Sequence, residues 1–126
     1  MARKQKKIVF QIGVPLETQP HRQNLLIHRL TRSASGLCGG CTTSYQRGWW
    51  IEGAENAAET FGGEVKEEAC FAIELTCELE KYERVLAQMK QVIAQTVTNT
   101  GIDANWVHVT VIDMTAEHFS IKEMMQ

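Results

Sequence analysis

The feature that most constrains the fold is the segment from Glu80 to Asn99, whose apolar residues recur at helical spacing. They follow the i, i+3, i+4, i+7 pattern of an amphipathic helix: Tyr82, Val85, Leu86, Met89, Val92, Ile93 and Val97. Gly101 follows and predicts the end of this helix, because glycine adopts a left-handed backbone conformation at little cost. A helix with one apolar stripe must pack against a second layer, so the other elements decide the fold.

The rest of the chain contains segments in which apolar and polar residues alternate, as in half-buried strands. They predict strands at Ile8–Val14, Glu68–Glu78 and Trp106–Ile112. Hydroxyl and aromatic residues favour a further strand over Cys41–Ile51. A first helix is predicted over Arg22–Ser33, with Gly36 as its stop, and residues 52–66 are interpreted as a connection.

The order strand, helix, strand, strand, helix, strand predicts a single α+β domain over residues 1–126. Its fold class is the ferredoxin-like split βαβ arrangement (βαββαβ), a four-stranded antiparallel sheet with two helices on one face. Residues 1–7 are assigned to a basic N-terminal arm, and residues 114–126 to a C-terminal tail.

The sheet face opposite the helices is predicted to mix apolar and polar side chains. The apolar members are Val9, Cys70, Ala72, Trp106 and Ile112, and the polar ones are Gln11, Glu74, His108 and Thr110. Such a surface is typical of association, and small soluble proteins associate mostly as symmetric homo-oligomers. We therefore expect a homo-oligomer with ligands bound where subunits join.

The stretch GGCTTSYQRGWW, residues 39–50, concentrates aromatic residues in a polar strand. Alternation places Thr43, Tyr45, Arg47 and Trp49 on one face. Aromatic rings hold bases by stacking, and a guanidinium binds phosphate through two parallel hydrogen bonds. We interpret these four residues as candidates for binding a small nucleotide-like ligand, together with Trp106 and His108. The alternative is that the rings only fill the core and a subunit interface.

The cysteines and histidines do not form a recognisable catalytic or metal site. Cys38 and Cys41 make a CGGC motif, but Cys70 and Cys77 are predicted on opposite strand faces, a poor geometry for zinc. The CGGC pair also follows a helix, whereas redox cysteines sit at helix N-termini. His108 and Glu74 on adjacent strands could form an acid and base pair, but a structural hydrogen bond is the favoured interpretation. We therefore predict no enzyme, catalytic residue, metal or cofactor.

Composition and charge are those of a globular protein. The hydrophobic fraction is 44%, the charged fraction is 22% and the net charge is −2, which argues against nucleic acid as the main partner. No apolar run approaches the roughly 18 residues of a membrane span, and the basic start MARKQKK is not followed by a signal-peptide core. The expected location is the cytoplasm, without membrane contact.

The order of segments resembles a family of small phage proteins that counter the bacterial Thoeris defence, Thoeris anti-defence protein 1. The resemblance is carried by GGCTTSYQRGWW, VKEEACFAIEL, KYERVLAQMKQVIAQTV and WVHVTVI, over roughly Ile8–Ile112. It implies a non-catalytic sponge that sequesters a cyclic ADP-ribose type signal, with cyclic oligonucleotides as a further ligand class, between subunits of an oligomer. In a phage, the location would be the cytoplasm of the bacterial host.

Three hypotheses of function remain open from the sequence. The first is a protein that binds a nucleotide-like immune signal and so inhibits antiviral defence. The second is a structural or interaction protein that uses the same aromatic face for oligomerisation or for docking a host protein. The third, a metal or redox enzyme based on Cys38 and Cys41, is the least supported.

Overall fold

The computed structural model describes residues 3–51, 65–104 and 106–125, without the side chains of residues 49–51 and 65–67. Its elements are β1 (Arg3–Val14), α1 (Pro20–Cys38), β2 (Thr42–Ile51), β3 (Val65–Glu78), a 3₁₀ turn (Leu79–Lys81), α2 (Tyr82–Thr100), β4 (Val107–Ala116) and α3 (Ile121–Met124). The connection expected between β2 and β3 falls mainly on residues 52–64, outside the described residues.

The four strands form one antiparallel sheet in the order β2-β3-β1-β4. Helices α1 and α2 cover one face, which we call the helix face, and the opposite face is called the open face. This arrangement confirms the predicted ferredoxin-like α+β fold.

The core lies between the helix face and the two long helices. In β1 and β3, every second residue faces this core and is almost fully buried: Ile8, Phe10, Ile12, Val14, Phe71, Ile73, Leu75 and Cys77. The helices contribute Leu26, Leu30, Ala34, Val85, Met89 and Ile93. Burying one large apolar side chain contributes about 1.5–3 kcal/mol, so this period of two fixes the register of both central strands.

The first helix is longer than the sequence predicts. It runs from Pro20, whose fixed φ suits the first helical turn, through the predicted stop at Gly36 to Cys38. Gly39 ends it at φ 84°, and its backbone N–H donates to the carbonyl of Ser35 at 2.8 Å. A glycine inside a helix only lowers its stability, whereas a left-handed glycine ends it. Gly101, with φ 69°, ends α2 as predicted.

The basic N-terminal segment also differs from the expectation. Residues 3–7 are the first part of β1, a central strand paired on both sides: Gln5 lies opposite Glu78 in β3 and Met114 in β4. Lys7 Nζ lies 2.7 Å from Glu74 Oε1. Lysine stems can cover a sheet while their ammonium groups reach acidic partners, so a basic segment forms a strand here.

The start of the expected C-terminal tail, residues 114–116, belongs to β4, and Ile121–Met124 forms the short α3. Among the described residues, no helix is both long and apolar enough to cross a membrane.

Candidate functional site

The candidate residues of β2 lie on the helix face at the edge of the sheet. In the register, Thr43 lies opposite Ile73 and Tyr45 opposite Phe71, both of them core residues. The rings of Tyr45 and Phe71 have centroids 5.6 Å apart. Arg47 follows in the same alternation, opposite Ala69. Trp49 pairs with Glu67 in the register, but its side chain lies outside the described part of the structure.

Much of this strand surface is left accessible to a ligand. Tyr45 is 56% exposed, and Thr43 and Arg47 are exposed as well. Partial burial against the sheet raises the pKa of the Tyr45 phenol, so its hydroxyl stays protonated and can donate a hydrogen bond. An exposed ring beside a guanidinium offers both stacking and anion binding.

The other candidate tryptophan lies on the open face, across the sheet from Tyr45. A Cβ added to Gly13 would come within 2.4 Å of Cε2 and Cζ2 of Trp106, so the indole occupies the space that any larger residue would need. The two residues are near each other because Ile12 pairs with Val107 in the antiparallel β1–β4 ladder. Glycine at position 13 therefore allows the ring to lie directly on the strand.

Glu68 lies beside Trp106 on the open face. The indole N–H of Trp106 donates to Glu68 Oε2 at 3.3 Å, and the same oxygen would lie 2.6 Å from a Cβ at Gly13. Both side chains are half-buried. The pKa of the Cys70 thiol, two residues along β3, is raised by burial and then by the negative charge of Glu68. We call Gly13, Glu68 and Trp106 the indole–carboxylate cluster.

Sequence reasoning missed Glu68. The sequence pattern that could have identified it is alternation, because Glu68 precedes Cys70 and Ala72 on the strand face that also carries Trp106. The partnership could not be found without the strand order β3-β1-β4, which brings residues 13, 68 and 106 to the same end of the sheet.

His108 is exposed on the open face, opposite Gln11 in β1. The suggested pair with Glu74 rested on adjacent strands, and this was wrong, because β1 lies between β3 and β4. Glu74 instead pairs with Lys7 of the intervening strand.

Five of the six predicted ligand residues, all except Trp49, therefore fall into two groups on opposite sheet faces. Thr43, Tyr45 and Arg47 share the helix face of β2, whereas Trp106 and His108 belong to the open face. A single chain does not bring the two groups together, since the sheet separates them.

An apolar groove of about 350 Å³ lies between α2 and β4. It is lined by Phe10, Lys90, Ile93, Ala94, Val97, Ala104, Trp106, Val107 and Val109. Among the described residues that line it, Lys90 is the single charged one, and these residues offer a nucleotide few of the polar contacts that orient such ligands.

The cysteines have the environment of structural thiols. Cys70 and Cys77 lie on opposite faces of β3, as predicted, and Cys38 and Cys41 flank the end of α1. Burial raises the pKa of Cys38, and the neighbouring Cys77 raises it further, so the reactive thiolate is disfavoured. Within the described residues, no group of three or more His, Cys, Asp or Glu side chains is arranged to hold a metal ion.

Known proteins resemble this chain in structure but not in sequence. No protein-family model matches the chain, and no curated protein sequence matches it. Solved structures do match. The chain is similar to CutA from Synechococcus elongatus PCC7942 complexed with Bis-Tris, at 8% identity and a TM-score of 0.51, over 91% of this chain and 85% of that one.

It is also similar to a phage SAM lyase in complex with S-methyl-5′-thioadenosine, at 13% identity and a TM-score of 0.50, over 92% of this chain and 93% of that one. A Bacillus cereus protein related to NIF3 matches at 15% identity and a TM-score of 0.46, and there the chain spans 26% of the other protein's length. At these identities, the likeness to the CutA and SAM lyase structures shows a shared fold and nothing beyond it.

Proposed function

We propose that the protein is a non-catalytic homo-oligomer that binds a small nucleotide-like ligand. The observation that carries the proposal is that Tyr45 and Arg47 are both exposed on the same face of β2. An aromatic ring left 56% exposed on an edge strand, two residues from an arginine, suits a ligand with a flat base and a phosphate.

Assembly joins the two groups of candidate residues. The open face carries the small buried residues Cys70 and Ala72 and, nearer its other end, Ile112, which is 46% exposed. If the β2 edge of one copy packs against the open face of a neighbour, Tyr45 and Arg47 can approach the neighbour's Trp106 and His108, which a single chain cannot achieve. The ligand then lies between subunits, where nucleotide pockets of oligomers commonly form.

The ligand class that we propose is a cyclic ADP-ribose type immune signal, with cyclic oligonucleotides as a further class. Sequestering such a messenger would keep a bacterial antiviral effector inactive, as the resemblance to the Thoeris anti-defence family implies. The likeness to a phage SAM lyase holding S-methyl-5′-thioadenosine supports this choice only in that a chain of this fold accommodates an adenosine derivative.

The proposal is tested with wild-type protein purified from cells. Native mass spectrometry gives the subunit number and any retained nucleotide, and calorimetry gives the affinity for cyclic ADP-ribose isomers, cyclic oligonucleotides and NAD. We expect an oligomer, submicromolar binding of one ligand, and recovery of that ligand chemically unchanged after denaturation. An oligomer that binds none of them favours the interaction protein, and a converted ligand shows an enzyme.

A further inference from the structure

We propose that residues 117–125 of one copy, which we call the C-terminal segment, bind in the apolar groove between α2 and β4 of a second copy. This inference goes beyond the proposed function, because it concerns neither the ligand nor the open face. The occupant is an identical chain, so every copy offers one segment and one groove, and a closed symmetric assembly satisfies all of them.

The groove exposes apolar side chains on a sheet face that is buried elsewhere. β4 is an edge strand, whereas the core under the two long helices is formed by β1 and β3. Val107, which lines the groove, is 38% exposed, and Val111, further along the same face, is 36% exposed. Their partners in β1, Ile12 and Ile8, are fully buried. Ala94 on the α2 wall of the groove is exposed too, and an apolar surface of this kind favours association.

The C-terminal segment carries apolar side chains that suit such a groove. Its four large apolar residues are between 62% and 82% exposed, so the chain does not bury them itself: Phe119, Ile121, Met124 and Met125. The last three follow the i, i+3, i+4 spacing that places side chains on one side of a helical turn, the pattern by which amphipathic helices bind grooves. A helix as short as α3 has little stability of its own, so its apolar side needs a partner surface.

The groove and the segment lie toward opposite ends of β4, which favours a second copy as the occupant. Ala116, the last residue of β4, pairs with Arg3, whereas Val109 in the groove pairs with Phe10. Seven residues separate Ala116 from Val109, which is about 23 Å at the roughly 3.3 Å rise per residue of a strand. Residues 117–120 add at most about 14 Å, and the four residues of α3 add about 6 Å. The chain's own α3 therefore ends short of the groove.

The charges of the two surfaces are complementary. The segment has a net charge of −1, from Glu117 and Glu123 against Lys122, and Lys90 is the charged residue among the described lining of the groove. Glu123 follows Ile121 by two positions and so points away from the apolar side of the turn, which leaves Glu117 as the expected partner of Lys90. Among the described residues, neither of these two makes an ion pair. An exposed pair adds little affinity, but it fixes the orientation of the segment.

The experiment places a photoreactive benzophenone amino acid at position 94, on the exposed wall of the groove. Equal amounts of unlabelled and ¹⁵N-labelled protein are refolded together and irradiated, and mass spectrometry identifies the crosslinked peptides. We expect crosslinks to residues 119–125, about half of them between differently labelled copies, as for random exchange of identical subunits. The matched control has the same group at position 95, which is exposed on α2 but does not line the groove, and it should not crosslink to the segment.

Sedimentation measures what the contact contributes to assembly. The double variant Ile121→Ser, Met124→Ser changes only exposed side chains, and its dissociation constant should rise about 10-fold or more, since two apolar side chains lose their burial. His118→Ser, at an exposed polar position of the same segment, should leave the constant unchanged. Lys90→Glu should raise it by about two- to fivefold, and adding Glu117→Lys should restore it. Circular dichroism verifies that each variant is folded.

The absence of crosslinks from position 94 to the segment, or crosslinks only within one copy, would overturn the inference. An unchanged dissociation constant in Ile121→Ser, Met124→Ser would do the same. These outcomes are separate from a failure of the proposed function, which calorimetry with the cyclic nucleotides decides. A protein that exchanges its C-terminal segment but binds no cyclic nucleotide keeps this interface and loses the immune messenger.

Discussion

The indole of Trp106 lies on the backbone of Gly13, with ring carbons 2.4 Å from the position that a Cβ would take. The relationship joins two neighbouring strands at one end of the open face. It also positions the Nε1–Glu68 hydrogen bond, so one glycine governs the geometry of the whole cluster.

Substitution Gly13→Ala should displace the indole and destabilise the fold. The overlap is with a ring and with a carboxylate, which must both move, so we expect a cost of about 1–3 kcal/mol, as for overpacked sites. Chemical denaturation measures the stability, and the tryptophan fluorescence spectrum reports the displaced ring. An unchanged denaturation midpoint would show that Trp106 moves aside without a loss of stability.

The matched control for this glycine is Gly36→Ala. Gly36 lies inside α1, and a Cβ there meets no atom within 4 Å. Alanine should therefore stabilise the protein by roughly 0.5–1 kcal/mol, because it restricts the unfolded chain and favours the helix. The opposite signs at the two glycines separate steric overlap from the general effect of replacing glycine.

Most of the fold could be predicted because strong local patterns coincide with the core. Alternation in Ile8–Val14 and helical spacing in Tyr82–Val97 are both produced by burial against the same layer. The residues at which helices end were less predictable. Gly36 and Gly39 look alike in sequence, and only the backbone conformation shows that Gly39 ends the helix.

The candidate site was predictable in part for a different reason. Alternation placed Thr43, Tyr45 and Arg47 together on one face, and the register agrees. It also placed Trp106 on the face opposite the helices, but it could not show that Glu68 lies beside this ring, since that requires the order of the strands across the sheet. The pairing of His108 with Glu74 failed for the same reason.

A charge placed on the open face should disrupt the proposed oligomer. Thr110 is exposed there, opposite Val9, and Thr110→Glu adds a carboxylate without removing a core contact. We expect light scattering to show smaller particles with unchanged helix content, because burying an unpaired charge is costly. Gln95→Glu on the exposed side of α2 is the control. A monomeric wild type would refute the assembly.

Removing residues 1–6 should destabilise the protein strongly. Residues 3–6 belong to β1 and pair with β3 or β4, so the deletion leaves the facing ends of these two strands without their central partner. Several lost backbone hydrogen bonds, each contributing about 0.5–1.5 kcal/mol, predict a loss of about 3 kcal/mol or more. Thermal denaturation distinguishes this result from that of a dispensable basic arm, whose removal would leave the midpoint unchanged.

The thiols predict a loss of stability at alkaline pH. Burial raises the pKa of Cys38, Cys70 and Cys77 in the folded chain, so the folded state holds these protons more tightly than the unfolded state. Their contribution is present below the unfolded thiol pKa of about 8.5 and is lost as the pH rises above it. Denaturation midpoints between pH 7 and 10 should fall.

The denaturation midpoint should fall less steeply with pH in Cys38→Ser, because serine keeps the size of the side chain but does not ionise between pH 7 and 10. The double variant Cys38→Ser, Cys41→Ser should still assemble and bind ligand if both thiols are structural. Loss of stoichiometric zinc together with folding in that variant would instead establish a metal site.

Arg47→Ala and Tyr45→Ala should weaken binding of a cyclic ADP-ribose type ligand in distinguishable ways. Removing the guanidinium deletes a charge-assisted hydrogen bond, so we expect a loss of about 2 kcal/mol and a weaker dependence on salt. Removing the Tyr45 ring deletes stacking, which carries no net charge, so a loss of about 1–3 kcal/mol should leave the salt dependence unchanged. Calorimetry at two salt concentrations measures both quantities. Equal salt dependence in the two variants would contradict a phosphate contact at Arg47 and leave the exposed ring as part of a subunit interface.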